Sequence, residues 1–188
     1  MGVLDKRVVW EGSFLRASIL TYRDHAGRLR TWEAAERVNC RGIAVIVPLT
    51  AEGEFLLTRQ FRPVVNNFVV EFPAGLHDRE ESLVEAAGRE LIEETKHTAR
   101  ELVFLARGPL SSGMSTEILS AFLAKDAVPA PPELLRRFPP DESEQIEVHR
   151  VRMDDMYRFL ASCEEQGDYI DVKVYGLVEL AKRKAAGG

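Results

Sequence analysis

The sequence predicts an α/β protein in which strands and helices interleave behind a small antiparallel β element at the N-terminus. Three observations predict it. Gly42 to Leu49 is apolar on both alternations, as suits a central strand buried on two faces. Ser82 followed by Glu85 has the spacing of a capping box, so a helix is expected to start near Leu83. Met153 to Ala161 and Asp171 to Lys184 read as amphipathic helices, the second closing in Lys182, Arg183 and Lys184, cations suited to a helix C-terminus.

Taken in order, residues Val8 to about Arg37 read as short strands. Phe14 to Tyr22 has β-type content, Asp24-His25-Ala26-Gly27 is a turn, and Arg28 to Glu33 returns. An element this small cannot bury itself and has to lean on another surface. Residues 1–40 are therefore set apart as an N-terminal β element and 41–188 as the main domain. In the main domain, the turn Ala51 to Glu54 joins the apolar strand to Phe55–Phe61, its expected antiparallel partner. Phe68 to Phe72 is a further strand. It delivers the chain to Pro73-Ala74-Gly75, read as a turn because Pro fixes φ and Gly admits backbone conformations closed to other residues. Glu101–Ala106 and Ile118–Ala124 read as strands, and Pro129, Pro131, Pro132, Pro139 and Pro140 mark a stiff, non-helical excursion.

Composition excludes several classes. The chain has 188 residues, 45% apolar and 29% charged, which suits one medium domain with a substantial core. A net charge of −5 gives no electrostatic footprint for a nucleic-acid polymer. Cys40 and Cys163 form no metal or redox spacing and read as two reduced thiols. The longest apolar run, Ile43 to Leu49, is too short to span a bilayer, and no secretory segment is visible, so no membrane partner and a cytoplasmic location are expected.

The chemistry is concentrated in the helix expected after Ser82. Val84, Ala87, Gly88 and Leu91 share one face and are expected to pack on a core. Glu90, Glu93 and Glu94 share another face on adjacent turns, where like charges cost a few tenths of a kcal/mol per pair. A glutamate pair on a helix is as a rule a solvated face. Read as a site, oxygen-only ligands point to a hard divalent ion, Mg²⁺ or Mn²⁺, rather than zinc.

The whole spacing separates this cluster from a solvated face. Gly75, five residues, Glu81, seven residues, then Arg89-Glu90-Leu91-Ile92-Glu93-Glu94 resembles the Nudix box, G-x5-E-x7-R-E-U-x-E-E-x-G-U with U aliphatic. The flanking E-F-P-A-G at Glu71–Gly75 and Q-F-R-P at Gln60–Pro63 resemble the ADP-ribose pyrophosphatase branch of that family. Two box positions depart from it: Lys96 stands where the family has Gly, and His97 where it has an aliphatic residue. That Gly supplies a left-handed residue past the helix end, so Lys96 is expected to cost about 1 kcal/mol there or to end the helix differently.

The resemblance implies the Nudix α/β/α sandwich, a mixed sheet between helices, and a Mg²⁺-dependent hydrolase (Mn²⁺ an alternative) that splits ADP-ribose to AMP and ribose 5-phosphate. Carried over by position, it implies metal ligation by Glu90, Glu93, Glu94, Glu144 and the Ala74 carbonyl, with Arg89 bracing the glutamates and Glu81 structural. Asp141 to His149 resembles an acidic loop of the bacterial enzymes, which puts Glu142 on the general base. Arg62, in Q-F-R-P, and Arg37, in W-E-A-A-E-R, fall on residues that meet the diphosphate; planar, always-charged guanidinium suits it. Trp32 and Phe14 fall on adenine-stacking residues, and Glu117, in S-S-G-M-S-T-E, on a loop near the ribose or metal. The N-terminal element of that branch is shared between subunits, which implies a homodimer. Another nucleoside diphosphate sugar such as a UDP- or GDP-sugar, then CoA, a dinucleoside polyphosphate or an oxidised nucleotide, and a non-catalytic nucleotide- or RNA-binding module remain open as alternatives.

Overall fold

The computed structural model describes residues 2–141 and 144–187. Three antiparallel strands come first: β1 (Gly2–Glu11), β2 (Leu15–Arg23) and β3 (Leu29–Arg37), in the order β1-β2-β3. The strand pattern thus begins six residues earlier than Val8. Asp24 shapes the β2–β3 turn, its carboxylate accepting from the Ala26 and Arg28 N–H groups, each at 2.9 Å.

The main sheet has nine strands, built from β4 (Ile43–Thr50), β5 (Glu54–Arg62), β6 (Asn67–Glu71), β7 (Ala74–Leu76), β8 (His97–Thr98), β9 (Glu101–Pro109), β10 (Ile118–Pro129), β11 (Glu147–Arg152) and β12 (Tyr169–Ile170). It is mixed: β4 runs parallel to β10 and antiparallel to β5 and β7. The helices are α1 (Leu83–Thr95), α2 (Pro132–Arg137), α3 (Met156–Glu165) and α4 (Lys173–Ala185), with a 3-10 turn at Met153–Asp155.

Alternation along β4 explains the layering. Ala44 and Ile46 face α1 and join Ala87, Leu91 and Phe122 in one cluster. Val45, Val47 and Leu49 point the other way, into a core with Met156 and Leu160 of α3 and Val174, Leu177 and Val178 of α4. All eight residues of β4 are buried, at about 1.5–3 kcal/mol for each large apolar side chain. The mixed sheet therefore lies between α1 on one face and α3 with α4 on the other, the sandwich expected from the sequence.

Three expectations need correction. Val84 is 48% exposed; the buried stripe of α1 runs through Ala86, Ala87, Leu91 and Ile92 instead. The proline-rich excursion is not without helix: α2 starts at Pro132, where the missing N–H removes no intrahelical bond, and ends at Arg137, with Phe138 as its cap just before Pro139. Gly75 sits in β7 rather than in a turn, and its φ is not among the positive ones. Space explains the residue: a Cβ there would lie 1.8 Å from Cδ of Glu90.

Helix α1 ends on Lys96 with φ 59° and ψ 25°, so the left-handed end survives without glycine. Two hydrogen bonds fix it, Lys96 N–H to the Ile92 carbonyl and Ala130 N–H to the Lys96 carbonyl, both 2.9 Å. The N-terminal sheet meets the segment between β9 and β10 through β3: Ala35 N–H donates to the Met114 carbonyl at 2.8 Å, and its carbonyl accepts from Thr116 N–H at 3.1 Å.

Candidate active site

The capping box forms as expected, with Glu85 N–H donating to Ser82 Oγ at 3.2 Å and Ser82 N–H to the Glu85 carboxylate at 2.7 Å. This start fixes the rotation of α1. Arg89 and Glu94 are then buried, and Glu90 and Glu93 largely so. Arg89, 4% exposed, is the hub. Its guanidinium donates to Glu81 at 2.8 Å, Glu90 at 2.7 Å, Glu93 at 2.8 Å and the Leu76 carbonyl at 3.3 Å. Burial alone would lower its pKa; the bonds to Glu81 and Glu90 outweigh that and raise it. Arg89 thus ties three carboxylates together through one guanidinium.

The carboxylates themselves carry the electrostatic cost of being gathered. Burial pushes the Glu94 carboxyl well above the usual range, with Glu90, Glu144 and Glu71 adding to the effect; a 3.3 Å hydrogen bond from Ala74 N–H opposes it. Burial likewise raises Glu90, against the opposing pull of Arg89. Neutral carboxyls or a bound cation would relieve this cluster.

These side chains line a cavity of about 660 Å³, within the roughly 300–1,000 Å³ of small-molecule sites. It gathers Ala74, Arg89, Glu90, Glu93, Glu94 and Glu144 with Arg37 and Arg62. A smaller recess of about 130 Å³ opens beside the same glutamates and is lined also by Lys96 and Asp141. Trp32, Phe14 and Glu117 do not line the cavity. Trp32 is 51% exposed and donates through Nε1 to the Gly113 carbonyl at 2.9 Å; Phe14 is 79% exposed. Glu117 holds Arg37 at 2.6 Å and so acts on the cavity through that arginine. Glu142, the position of the implied general base, lies outside the described residues.

The cavity also contains groups that sequence reasoning missed. Glu71 accepts from Arg62 at 2.7 Å, and burial raises its carboxyl although Arg62 pulls it back. Asp171 and Lys173, ion-paired to each other, line the same wall. A charged residue ending the apolar strand Phe68–Val70 was a signal for Glu71; Asp171 and Lys173 gave none beyond opening an amphipathic helix.

The donor set fits a hard divalent ion. It consists of oxygens, it is drawn from one helix face and the Glu144 loop, and Gly75 leaves the space that the Glu90 carboxylate occupies. Among the described residues no three His, Cys, Asp or Glu side chains stand close enough to enclose an ion as placed, Glu90 and Glu93 each giving an oxygen to Arg89.

The NUDIX domain family matches residues 40–170 of this chain. The chain belongs to the Nudix family. Among its relatives, the ADP-ribose pyrophosphatase of Bacillus subtilis is 33% identical over 129 residues, covering 69% of this chain and 68% of that protein. The ADP-sugar pyrophosphatase of Mus musculus is 30% identical over 189 residues, covering 92% and 84%. A crystal structure of an ADP compounds hydrolase shares the Nudix fold with a TM-score of 0.75, at 21% identity over 99% of this chain and 95% of that one. The Nudix box, with its glutamates and Arg89 assembled on α1, makes this chain an enzyme of the Nudix pyrophosphatase type. No helix among the described residues is long and apolar enough to cross a membrane.

Proposed function

We propose that this Nudix enzyme hydrolyses the diphosphate bond of ADP-ribose, releasing AMP and ribose 5-phosphate, with Mg²⁺ as the metal and Mn²⁺ as a substitute. The observation that carries the reading is the joint lining of one cavity by the α1 glutamates, Glu144 and the two arginines Arg37 and Arg62. Glu90, Glu93, Glu94 and Glu144, with the Ala74 carbonyl, are the groups that would hold the ion. When bound, it neutralises non-bridging phosphate oxygens and lowers the pKa of an attacking water.

The chain's own residues do the rest. Arg89 keeps Glu90 and Glu93 pointed into the cavity, so the ligands are placed before substrate arrives. Arg62 and Arg37 are each held by one carboxylate, Glu71 and Glu117, and retain further N–H donors for phosphate oxygens. A carboxylate of the loop between Asp141 and Glu144 takes the proton from water, and Glu142 is our choice for it. Trp32 and Phe14, exposed on the N-terminal sheet, offer flat apolar surfaces for adenine. A homodimer that shares this sheet would bring such rings to a cavity they do not reach in one chain. The unpaired Cys40 and Cys163 accord with a cytoplasmic enzyme.

The test is a panel of ADP-ribose, UDP-glucose, GDP-mannose and CoA with Mg²⁺, identifying the nucleotide released. AMP from ADP-ribose, abolished by EDTA, is expected. Preferential release of UMP or GMP would reassign the substrate. Turnover that survives complete metal removal would take the carboxylate cluster out of the mechanism.

A further inference from the structure

Besides the α1 glutamates, the cavity lining carries a second set of charges: Arg62 and Glu71 from the β5 and β6 ends, and Asp171 and Lys173 from the entry to α4. Glu71 feels both Asp171 and Lys173 as well as Arg62, so the four form one network. Within it, Asp171 and Lys173 balance each other's charge. The pair within it is locally built. Asp171 accepts from the Lys173 N–H at 3.0 Å as well as from its ammonium, and Asp171 N–H is tied to the Val70 carbonyl at 3.0 Å. Both side chains are mostly covered, at 16% and 32% exposed. An ion pair still open to solvent contributes little to folding, and ordering a lysine side chain costs about as much or more. Stability therefore gives little reason to hold an ammonium against this wall.

The chemistry of the network discriminates between parts of the substrate. A diphosphate calls for net positive charge, which the Asp171–Lys173 pair lacks. An adenine calls for flat apolar surface. Vicinal hydroxyls call for acceptors and donors side by side, and a carboxylate paired with an ammonium supplies both. The nucleotide half is already assigned to the N-terminal sheet, which reaches the cavity through Arg37. On the reading that ADP-ribose is the substrate, we propose that Asp171 and Lys173 bind the hydroxyls of the sugar that leaves as sugar phosphate. They set which sugar the enzyme accepts.

The experiment measures kcat and KM for ADP-ribose, and the inhibition constant of AMP, in the wild type and in Lys173→Met, Lys173→Gln and Lys173→Arg, with a thermal melt of each. Lys173→Met is expected to raise KM about tenfold or more, the loss of a charge-assisted hydrogen bond, with kcat much less affected. AMP inhibition is expected to stay unchanged, Lys173→Gln to fall between, and Lys173→Arg to recover most of the loss. An unmoved KM in folded Lys173→Met or Lys173→Gln overturns the proposal. An equal loss of AMP affinity also overturns it, because the contact would then lie on the nucleotide half. A wild type that does not turn over ADP-ribose at all overturns the substrate reading and this one with it, and is told apart from the other two results by that control.

Discussion

Strands β4 and β1 are comparable in length and opposite in surroundings. Every residue of β4 is buried, and every residue of β1 is exposed, including Val3, Leu4, Val8, Val9 and Trp10. The first is the centre of a sandwich completed within one chain, with α1 and α4 covering its two faces. The second is the edge of a three-stranded sheet, its apolar side chains exposed and its outer backbone groups paired with no other strand among the described residues. Long uncovered apolar edges are an aggregation liability that folded proteins cover or blunt. The α1 carboxylates proposed to hold the metal are accordingly anchored on the complete part, whereas the groups proposed for adenine ride on the incomplete one.

The largest effect is expected where the complete part depends on one charge. Arg89→Leu leaves Glu81, Glu90 and Glu93 without their shared partner. Removing one member of a buried ion pair costs about 3–5 kcal/mol, and chemical denaturation should register a loss of that size. A loss below about 1 kcal/mol would mean that Arg89 is not the hub its bonds describe. Next comes Glu94→Gln, which keeps the shape and the hydrogen bond from Ala74 N–H but removes the charge of a proposed ligand. Even outer partners of metal ligands cost about 10–100-fold in activity, so turnover is expected to fall by at least the upper figure with the melting temperature held. Near-normal turnover at saturating Mg²⁺ would exclude Glu94 from the chemistry.

The incomplete part is probed by Trp10→Glu. With a second copy covering β1, a charge in place of an exposed tryptophan is expected to raise the dimer dissociation constant about 30-fold, the loss of one binding hot spot of about 2 kcal/mol. Folding of the single chain is expected to change by no more than about 0.5 kcal/mol, as for other surface substitutions. Sedimentation equilibrium decides: a wild type that stays monomeric at all concentrations removes the shared sheet.

How much of this contrast was legible in the sequence differs from residue to residue. Helix α1 was, because its cap, its glutamate spacing and Arg89 are local features whose geometry follows from 3.6 residues per turn. The reason for Gly75 was not: the spacing marked the position, but the nearness of the Glu90 carboxylate is a tertiary fact. Val84 was misplaced because the buried stripe of α1 is set by which of its residues meet Ala44, Ile46 and Phe122, which periodicity alone leaves open. α2 was hidden by prolines that suit a first turn as well as a loop. Lys173 and Glu71 meet in one wall although 102 residues separate their numbers (173 − 71), and no local pattern records such a meeting.

A pH series sharpens the electrostatic side. Burial raises Glu94 and Glu90 above the ordinary carboxylate range, so in the metal-free protein the folded state binds more protons than the unfolded chain in that window. Stability is then full below the unfolded pKa and is lost as pH rises through the raised folded values, by up to about 1.4 kcal/mol per pH unit for each group. Melting temperatures in EDTA are expected to fall as pH climbs from the ordinary carboxylate range toward neutrality. Saturating Mg²⁺ is expected to flatten the decline, and Glu94→Gln to shrink it. A flat metal-free profile would contradict the raised pKa values.

The smallest effect concerns the end of α1. Lys96 holds a left-handed conformation that costs an L-residue with a side chain about 1–2 kcal/mol, and glycine adopts it without that cost but loses more chain entropy on folding. Lys96→Gly is therefore expected to stabilise the protein by about 1 kcal/mol, read as a small rise in melting temperature. The same lysine lines the recess beside Glu90, Glu93 and Glu94, where its charge opposes a cation bound to them. Calorimetric titration of Mn²⁺ into Lys96→Gly and into Lys96→Asn, which tolerates the left-handed region while also losing the charge, separates the two consequences. Tighter metal binding in both variants traces the change to charge; a gain confined to stability in the glycine variant traces it to backbone. Unchanged stability in Lys96→Gly would show that the bonds to Ile92 and Ala130 hold the helix end at no strain.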